Sequence, residues 1–187
     1  MDAADVLALG TTLTDEQRLA FEACFRANRD RVYRLGLRYG RGRVSWAEDL
    51  TQDVFMKLYQ ELPRLSAHED LGGWLYRVAT NAALSRLRRE KSLLGRMDRL
   101  FASAEDEVSE SSADARVEMT ESAREAQALL DGLPPKERVV LGMKVLDGMA
   151  QKDIAVALGM SEGYVSKLLT RAWDKVRAAG WEVSGEA

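Results

Sequence analysis

Apolar positions recur at spacings of three and four along most of the chain, and strand-like alternation is largely absent. This periodicity predicts an all-helical protein. Thr14 and Gln17 have the spacing of a capping box and place a helix start near Asp15. Phe21, Phe25, Val32, Leu35 and Tyr39 fall on one face of that helix, and Gly40 and Gly42 interrupt it. Ser45 and Glu48 form a second capping-box pair. The stripe Leu50, Val54, Leu58 and Leu62 follows, and Pro63 ends that helix because proline cannot continue the hydrogen-bond ladder. A loop over residues 64–73 leads into a third helix with an apolar face of Leu75, Val78, Ala79, Ala82 and Leu87. Its later turns carry Arg86, Arg88, Arg89 and Lys91.

Composition then shifts. Residues 102–121 are rich in Ser, Ala and acid, with Arg116 as the one base and no sustained apolar face. Such a stretch buries too little to order itself and reads as a linker. A second helical block starts near Ser122, with breaks at Pro134–Pro135, Gly148, Gly159 and Gly180. The expected architecture is all-α. A first domain over residues 14–98 and a second over 122–181 are joined by a flexible acidic linker over 99–121.

The densest pattern lies at residues 151–170, which read as a helix-turn-helix. Ala155 is small where two helices cross, and Gly159 suits a turn that needs positive φ. Ser161 can cap the second helix, while Ile154, Leu158, Val165 and Leu168 close a small core. That leaves Glu162, Ser166, Lys167 and Thr170 outward on a helix able to enter a major groove. Lys167, Arg171, Lys175 and Arg177 place positive charge where phosphates would lie. A helical hairpin that binds protein is the competing reading. In the first block, Trp74, Tyr76 and Asn81 precede the basic cluster, an arrangement able to hold unstacked single-stranded DNA; Trp74 as a core residue is the plainer reading.

Bulk properties narrow the function classes. The formal net charge of −3 over 187 residues does not exclude nucleic-acid binding, which depends on where cations cluster. Cys24 is the single cysteine and reads as a buried structural thiol. Neither paired Cys or His for a metal nor a phosphate-binding loop is present, and His68, the single histidine, has no acid–nucleophile arrangement beside it. The expectation is a non-enzyme without metal or cofactor. Residues 1–10 do not resemble a secretory signal, and no apolar run approaches the ~20 residues needed to cross a bilayer. The expected location is the cytoplasm, without membrane insertion.

Three stretches in register resemble the sigma-70 superfamily, specifically its small extracytoplasmic-function type. Ala47-Glu-Asp-Leu-Thr-Gln-Asp-Val-Phe-Met-Lys-Leu58 resembles the helix that docks on core RNA polymerase. Trp74-Leu-Tyr-Arg-Val-Ala-Thr-Asn81 with Leu87-Arg-Arg89 resembles the promoter-melting helix. Leu133-Pro-Pro-Lys-Glu-Arg138 with the helix-turn-helix resembles the domain that binds the upstream promoter element. The resemblance implies polymerase contacts at Asp49, Leu50, Gln52, Asp53 and Phe55. It implies minus-ten contacts at Arg64, Ser66, His68, Trp74, Arg77, Asn81, Arg88 and Arg89. Ser161, Glu162, Gly163, Tyr164, Ser166, Lys167, Thr170 and Arg171 would meet the upstream element. Four positions depart from the family pattern: Gly72-Gly73 replaces an aromatic, Ser85 an Asp, Tyr164 a Thr, and Leu168 a polar or basic residue.

The implied partners are core RNA polymerase, promoter DNA as duplex and as melted single strand, and an anti-sigma factor. Two other functions fit parts of the chain. A sigma-like decoy would bind an anti-sigma protein without engaging promoters, and a stand-alone helix-turn-helix regulator would bind an operator as a dimer.

Overall fold

The computed structural model describes residues 13–65, 70–100 and 121–180. Every element among them is helical, and the chain divides into two compact units, Met1–Val117 and Glu118–Ala187. The expected acidic linker lies mostly outside the described residues.

In the first unit, α1 (Asp15–Tyr39) begins at the expected capping box: Thr14 Oγ1 accepts from Gln17 N, and Gln17 Oε1 accepts from Thr14 N. Two backbone donors left open by the helix start are thereby satisfied. All five expected face residues, Phe21, Phe25, Val32, Leu35 and Tyr39, are buried. The Gly40–Gly42 break turns the chain, with Gly42 at φ 74°.

The start of α2 (Val44–Glu61) differs from the expected Ser45–Glu48 box. Arg43 takes the N-cap position without a side-chain cap bond. Its guanidinium is engaged elsewhere, donating to the Gly40 carbonyl at 2.9 Å and to Glu90 at 2.8 Å. Those contacts fix the extended residue ahead of the helix and place Ser45 inside the first turn. The α-helix ends at Glu61 and tightens into a 3₁₀ turn, Leu62–Arg64, around Pro63.

Helices α1 and α2 approach closely because Gly36 faces Ala47. A Cβ on Gly36 would lie 2.7 Å from Ala47 Cα. Four aromatic rings fill the space beyond. Phe55 sits 4.7 Å from Phe25 and edge-on to Phe21 at 6.5 Å, and Tyr59 meets Phe21 edge-on at 5.6 Å. The third helix, α3 (Leu71–Leu100), covers this pair through Leu75, Tyr76, Ala79, Thr80, Ala83, Leu84 and Leu87. This inner face is rotated from the expected one: Val78 and Ala82 are half-buried and border a surface groove. Thr80 is a core position that its polarity conceals in the sequence. Its hydroxyl donates to the Tyr76 carbonyl at 2.9 Å, which removes the cost of burying it.

The second unit contains α4 (Glu121–Asp131), α5 (Pro135–Val145), α6 (Gln151–Leu158) and α7 (Glu162–Ala178). Pro135 opens α5, where a missing N–H costs nothing. Two buried charges follow. Arg138 reaches Asp131 with an ion pair at 3.0 Å and a donated bond to its carbonyl at 2.6 Å. Glu137 accepts from Lys175 at 2.6 Å, which fastens α5 to α7.

The α6–α7 turn matches expectation. Gly159 adopts φ 62°, ψ 40°, and Ser161 Oγ accepts from Tyr164 N. Ile154, Ala155, Leu158, Val165 and Leu168 are all buried. Nothing lies within 4 Å of a Cβ placed on Gly159, so its requirement is conformational and not steric crowding. Gly159→Ala should therefore destabilise this unit by about 1 kcal/mol. A denaturant melt would check this, and an unchanged midpoint would count against it.

Candidate nucleic-acid interface

Helix periodicity splits the motif on α2 into two faces. Asp49, Gln52 and Asp53 are exposed, together with Glu48 and Lys57. Leu50 and Phe55 are fully buried. This differs from their expected role as partner contacts: both side chains lie inside the first unit, behind the exposed face of α2. The exposed carboxylates have a partner on the neighbouring helix. Arg86 of α3 lies 2.5 Å from Asp53 and 3.7 Å from Asp49, with its guanidinium 5.7 Å above the Trp46 ring.

On α3, Trp74, Arg77, Asn81 and Ser85 follow one another at helical spacing, and with Asp53 and Lys57 of α2 they line an open groove. Trp74 is half-buried, so one part packs and another faces the groove. Arg77 and Asn81 are exposed, and Asn81 Nδ2 donates to the Arg77 carbonyl at 2.8 Å. Tyr76 does not join them. It is buried on the opposite side beneath Arg31, whose guanidinium carbon lies 4.9 Å from the ring centre. Of these two aromatics, Trp74 borders the groove and Tyr76 does not.

Further along α3, Arg88, Arg89 and Lys91 are exposed and have no ion pair among the described residues. Arg64 is also exposed, 3.6 Å from Glu61. Ser66 and His68 lie outside the described residues. Gly73 leaves room for Asp70, whose carboxylate would collide with a Cβ there. The Asp70 carbonyl accepts from Trp74 N at 2.9 Å as α3 begins. A Gly-Gly pair in place of an aromatic is thus matched by this aspartate folding over the first turn.

In the second unit, α7 presents Ser161, Glu162, Gly163, Ser166, Lys167, Thr170 and Arg171 to solvent. Lys167 and Arg171, one turn apart, have no ion pair among the described residues. Two cations expected beside them are already engaged: Lys175 with Glu137 and Arg177 with Asp174 at 2.7 Å. Tyr164 is half-buried. Its hydroxyl accepts from Lys136 at 2.9 Å, and the lysine also lies 4.8 Å from the ring centre. Gln151 donates to the Glu162 carbonyl at 3.1 Å, tying the start of α6 to the start of α7.

Two family models match separate parts of the chain: Sigma-70 region 2 over residues 24–93 and Sigma-70, region 4 over 123–176. The ECF RNA polymerase sigma factor SigE of Mycolicibacterium smegmatis is 30% identical over 162 residues, covering 84% of this chain and 60% of the relative. SigW of Bacillus subtilis, also an ECF RNA polymerase sigma factor, is 29% identical over 157 residues, covering 80% and 82%. The chain belongs to the sigma-70 family, in its ECF branch.

The sigma factor RpoE of Bartonella quintana, solved with the anti-sigma factor NepR, shares the fold at TM-score 0.58 and 18% identity. That similarity covers 85% of this chain and 95% of the other. The chain spans 60% of the length of SigE.

Two further departures from the sigma-70 pattern, both on α7, have a physical account. Leu168 is a core residue, so its apolar character closes the helix pair and takes nothing from the exposed face of α7. Tyr164 sits at the rim, where it ties α7 to Lys136 of α5. Lys57 is a groove residue that sequence reasoning passed over. It lies one turn beyond Asp53, and that spacing alone places it on the same helix face.

Among the described residues, no group of His, Cys, Asp and Glu is arranged to hold a metal, and no helix is long and apolar enough to cross a membrane. Burial raises the Cys24 thiol above its ordinary value; the Asn28 amide lowers it in part, and the charge of Asp70 adds to the rise. A raised thiol inside the first unit is a packing residue and a poor nucleophile.

Proposed function

We propose that this chain is an ECF sigma factor: a non-enzymatic, cytoplasmic protein that binds core RNA polymerase, recognises promoter DNA and starts transcription of a particular gene set. The observation that carries this reading is the pairing of two separate surfaces in one chain of the sigma-70 family. The first is the acidic docking face of α2 beside the α3 groove. The second is a capped α7 with its polar residues and the cations Lys167 and Arg171 outward.

In this reading the first domain, residues 14–98, docks through Asp49, Gln52 and Asp53. It takes the melted minus-ten strand along Arg64, Ser66, His68, Trp74, Arg77, Asn81, Arg88 and Arg89. Trp74 offers a partly exposed ring for a base, and base–aromatic stacking contributes about 1–3 kcal/mol per base. Residues 99–121 tether the second domain, residues 122–181, which reads duplex through Ser161, Glu162, Gly163, Ser166, Lys167, Thr170 and Arg171. Tyr164 orients that helix from its rim. Joining two modest contacts by a tether raises apparent affinity through effective concentration. An anti-sigma factor completes the partner set, since RpoE is seen bound to one. Arg88, Arg89, Lys167 and Arg171, exposed and without an ion pair among the described residues, weigh against a decoy, which would have no use for them.

Transcription from a promoter library with purified core polymerase tests the reading: start sites that appear only when the chain is added are expected. Asp49→Ala with Asp53→Ala should weaken core binding about tenfold or more while the helical signal stays intact, since both side chains are exposed. Core affinity unchanged in the double variant would remove these residues from the docking face.

A further inference from the structure

Arg86 lies in the basic stretch of α3, yet its surroundings differ from those of Arg88 and Arg89. Those two are exposed and have no ion pair among the described residues. Arg86 has a side chain only 22% exposed, and it is directed across to α2. One guanidinium nitrogen lies 2.5 Å from Asp53, and the other lies 3.7 Å from Asp49. We infer that Arg86 is a positioning residue for the polymerase-docking face: it holds the Asp49 and Asp53 carboxylates in the arrangement that a partner meets, and it does not contact DNA. This rests on the reading of α2 as the docking helix.

The arginine is itself held. Its guanidinium packs over the Trp46 ring at 5.7 Å. Trp46 Nε1 donates to Glu90 Oε1 at 2.9 Å, and the same oxygen accepts from Arg43 at 2.8 Å. Arg43 in turn donates to the Gly40 carbonyl at 2.9 Å. A chain of contacts therefore runs from a backbone carbonyl, through two arginines, a tryptophan and a glutamate, to two carboxylates on the surface.

Without a cation between them, two like charges one turn apart on a helix repel and splay. A guanidinium can reach both at once because its nitrogens form a rigid fork, which a lysine ammonium lacks. Two carboxylates and one guanidinium still leave a net negative charge for a cationic partner. Exposed ion pairs add little to stability, so the consequence of this one lies in ordering. Side chains fixed before docking do not have to be fixed during it.

The test uses the full chain, purified bacterial core RNA polymerase, and a titration read by fluorescence anisotropy. Arg86→Gln should weaken core binding about tenfold, the loss expected when two side chains must be ordered on docking. Arg86→Lys should recover only part of it. In an Asp53→Ala background, Arg86→Gln should add little further loss, a non-additivity that general damage to the fold would not produce. At core concentrations high enough to saturate the variant, its holoenzyme should bind a melted minus-ten oligonucleotide as well as wild type does.

Core affinity for Arg86→Gln equal to or tighter than wild type would overturn the inference, as would a loss confined to the oligonucleotide. If Arg86→Gln fails to fold, Arg86→Lys keeps the charge while losing the fork, and wild-type affinity in that variant would overturn it equally. Failure of the wild-type chain to bind core would remove the docking reading along with the inference. A wild type that binds, beside an unaffected Arg86→Gln, would remove only the role of Arg86.

Discussion

Phe55→Ala should destabilise the first unit by about 3–5 kcal/mol, the usual range for emptying a large aromatic from a packed interior. Phe55 is fully buried, with Phe25 at 4.7 Å and Phe21 at 6.5 Å. Phe21 in turn packs on Tyr59, so the truncation removes partners from a cluster and leaves a cavity that α1 and α2 cannot readily close. Their approach is already limited at Gly36, where a Cβ would meet the backbone of Ala47. A domain of this size has only a small stability margin. The variant should therefore lose core polymerase binding in proportion to the unfolded fraction, and a lower temperature should restore it. Gln52→Ala, on the exposed side of the same helix, should change stability by less than about 0.5 kcal/mol. A thermal melt followed by helical circular dichroism separates the two. A Phe55→Ala chain that melts like wild type yet fails to bind polymerase would mean that this ring meets the partner directly.

The contrast between Phe55 and Gln52 marks how far the sequence alone can be taken. Helix periodicity identified the all-α class, the capping box at Thr14, the stop at Pro63 and the left-handed turn at Gly159, because each depends on residues a few positions apart. The same local logic placed Ser161 and the inner residues of the helix-turn-helix. It did not separate exposed from buried positions within residues 47–58, where Leu50 and Phe55 stand beside Asp49 and Asp53 in the chain and on the other side of the helix. The rotation of α3 was legible only in part. Small residues such as Ala79, Ala82 and Ala83 fit either face, and Thr80 is polar although buried.

Features that depend on a second helix were beyond local patterns altogether. Gly36 is an unremarked glycine until Ala47 of α2 is set against it. Arg86 looks like one more cation in a basic run until Asp49, Asp53 and Trp46 are placed around it. Lys175 reads as a phosphate contact until Glu137 of α5 is found beside it. In each case the missing information is a distance between residues far apart in sequence or on facing turns, which composition and spacing do not hold.

With Lys175 and Arg177 engaged by Glu137 and Asp174, the positive charge that α7 can offer to phosphates reduces chiefly to Lys167 and Arg171. Each phosphate neutralised on B-DNA contributes about 0.9 to the slope of log affinity against log salt. Lys167→Ala with Arg171→Ala should therefore lower that slope by about 1.8 and weaken promoter duplex binding by at least about tenfold at moderate salt. The loss should be nearly uniform across upstream-element sequences, because phosphate contacts position a helix without reading bases. Ser166→Ala or Glu162→Ala, closer to the capped start of α7, should instead change which sequences are preferred and leave the slope nearly as it was. Titrating holoenzyme onto promoter duplexes across a salt series gives both quantities from one experiment. A slope unchanged in the double variant would mean that neither cation meets a phosphate, and would place the DNA-facing side of this domain elsewhere than on α7.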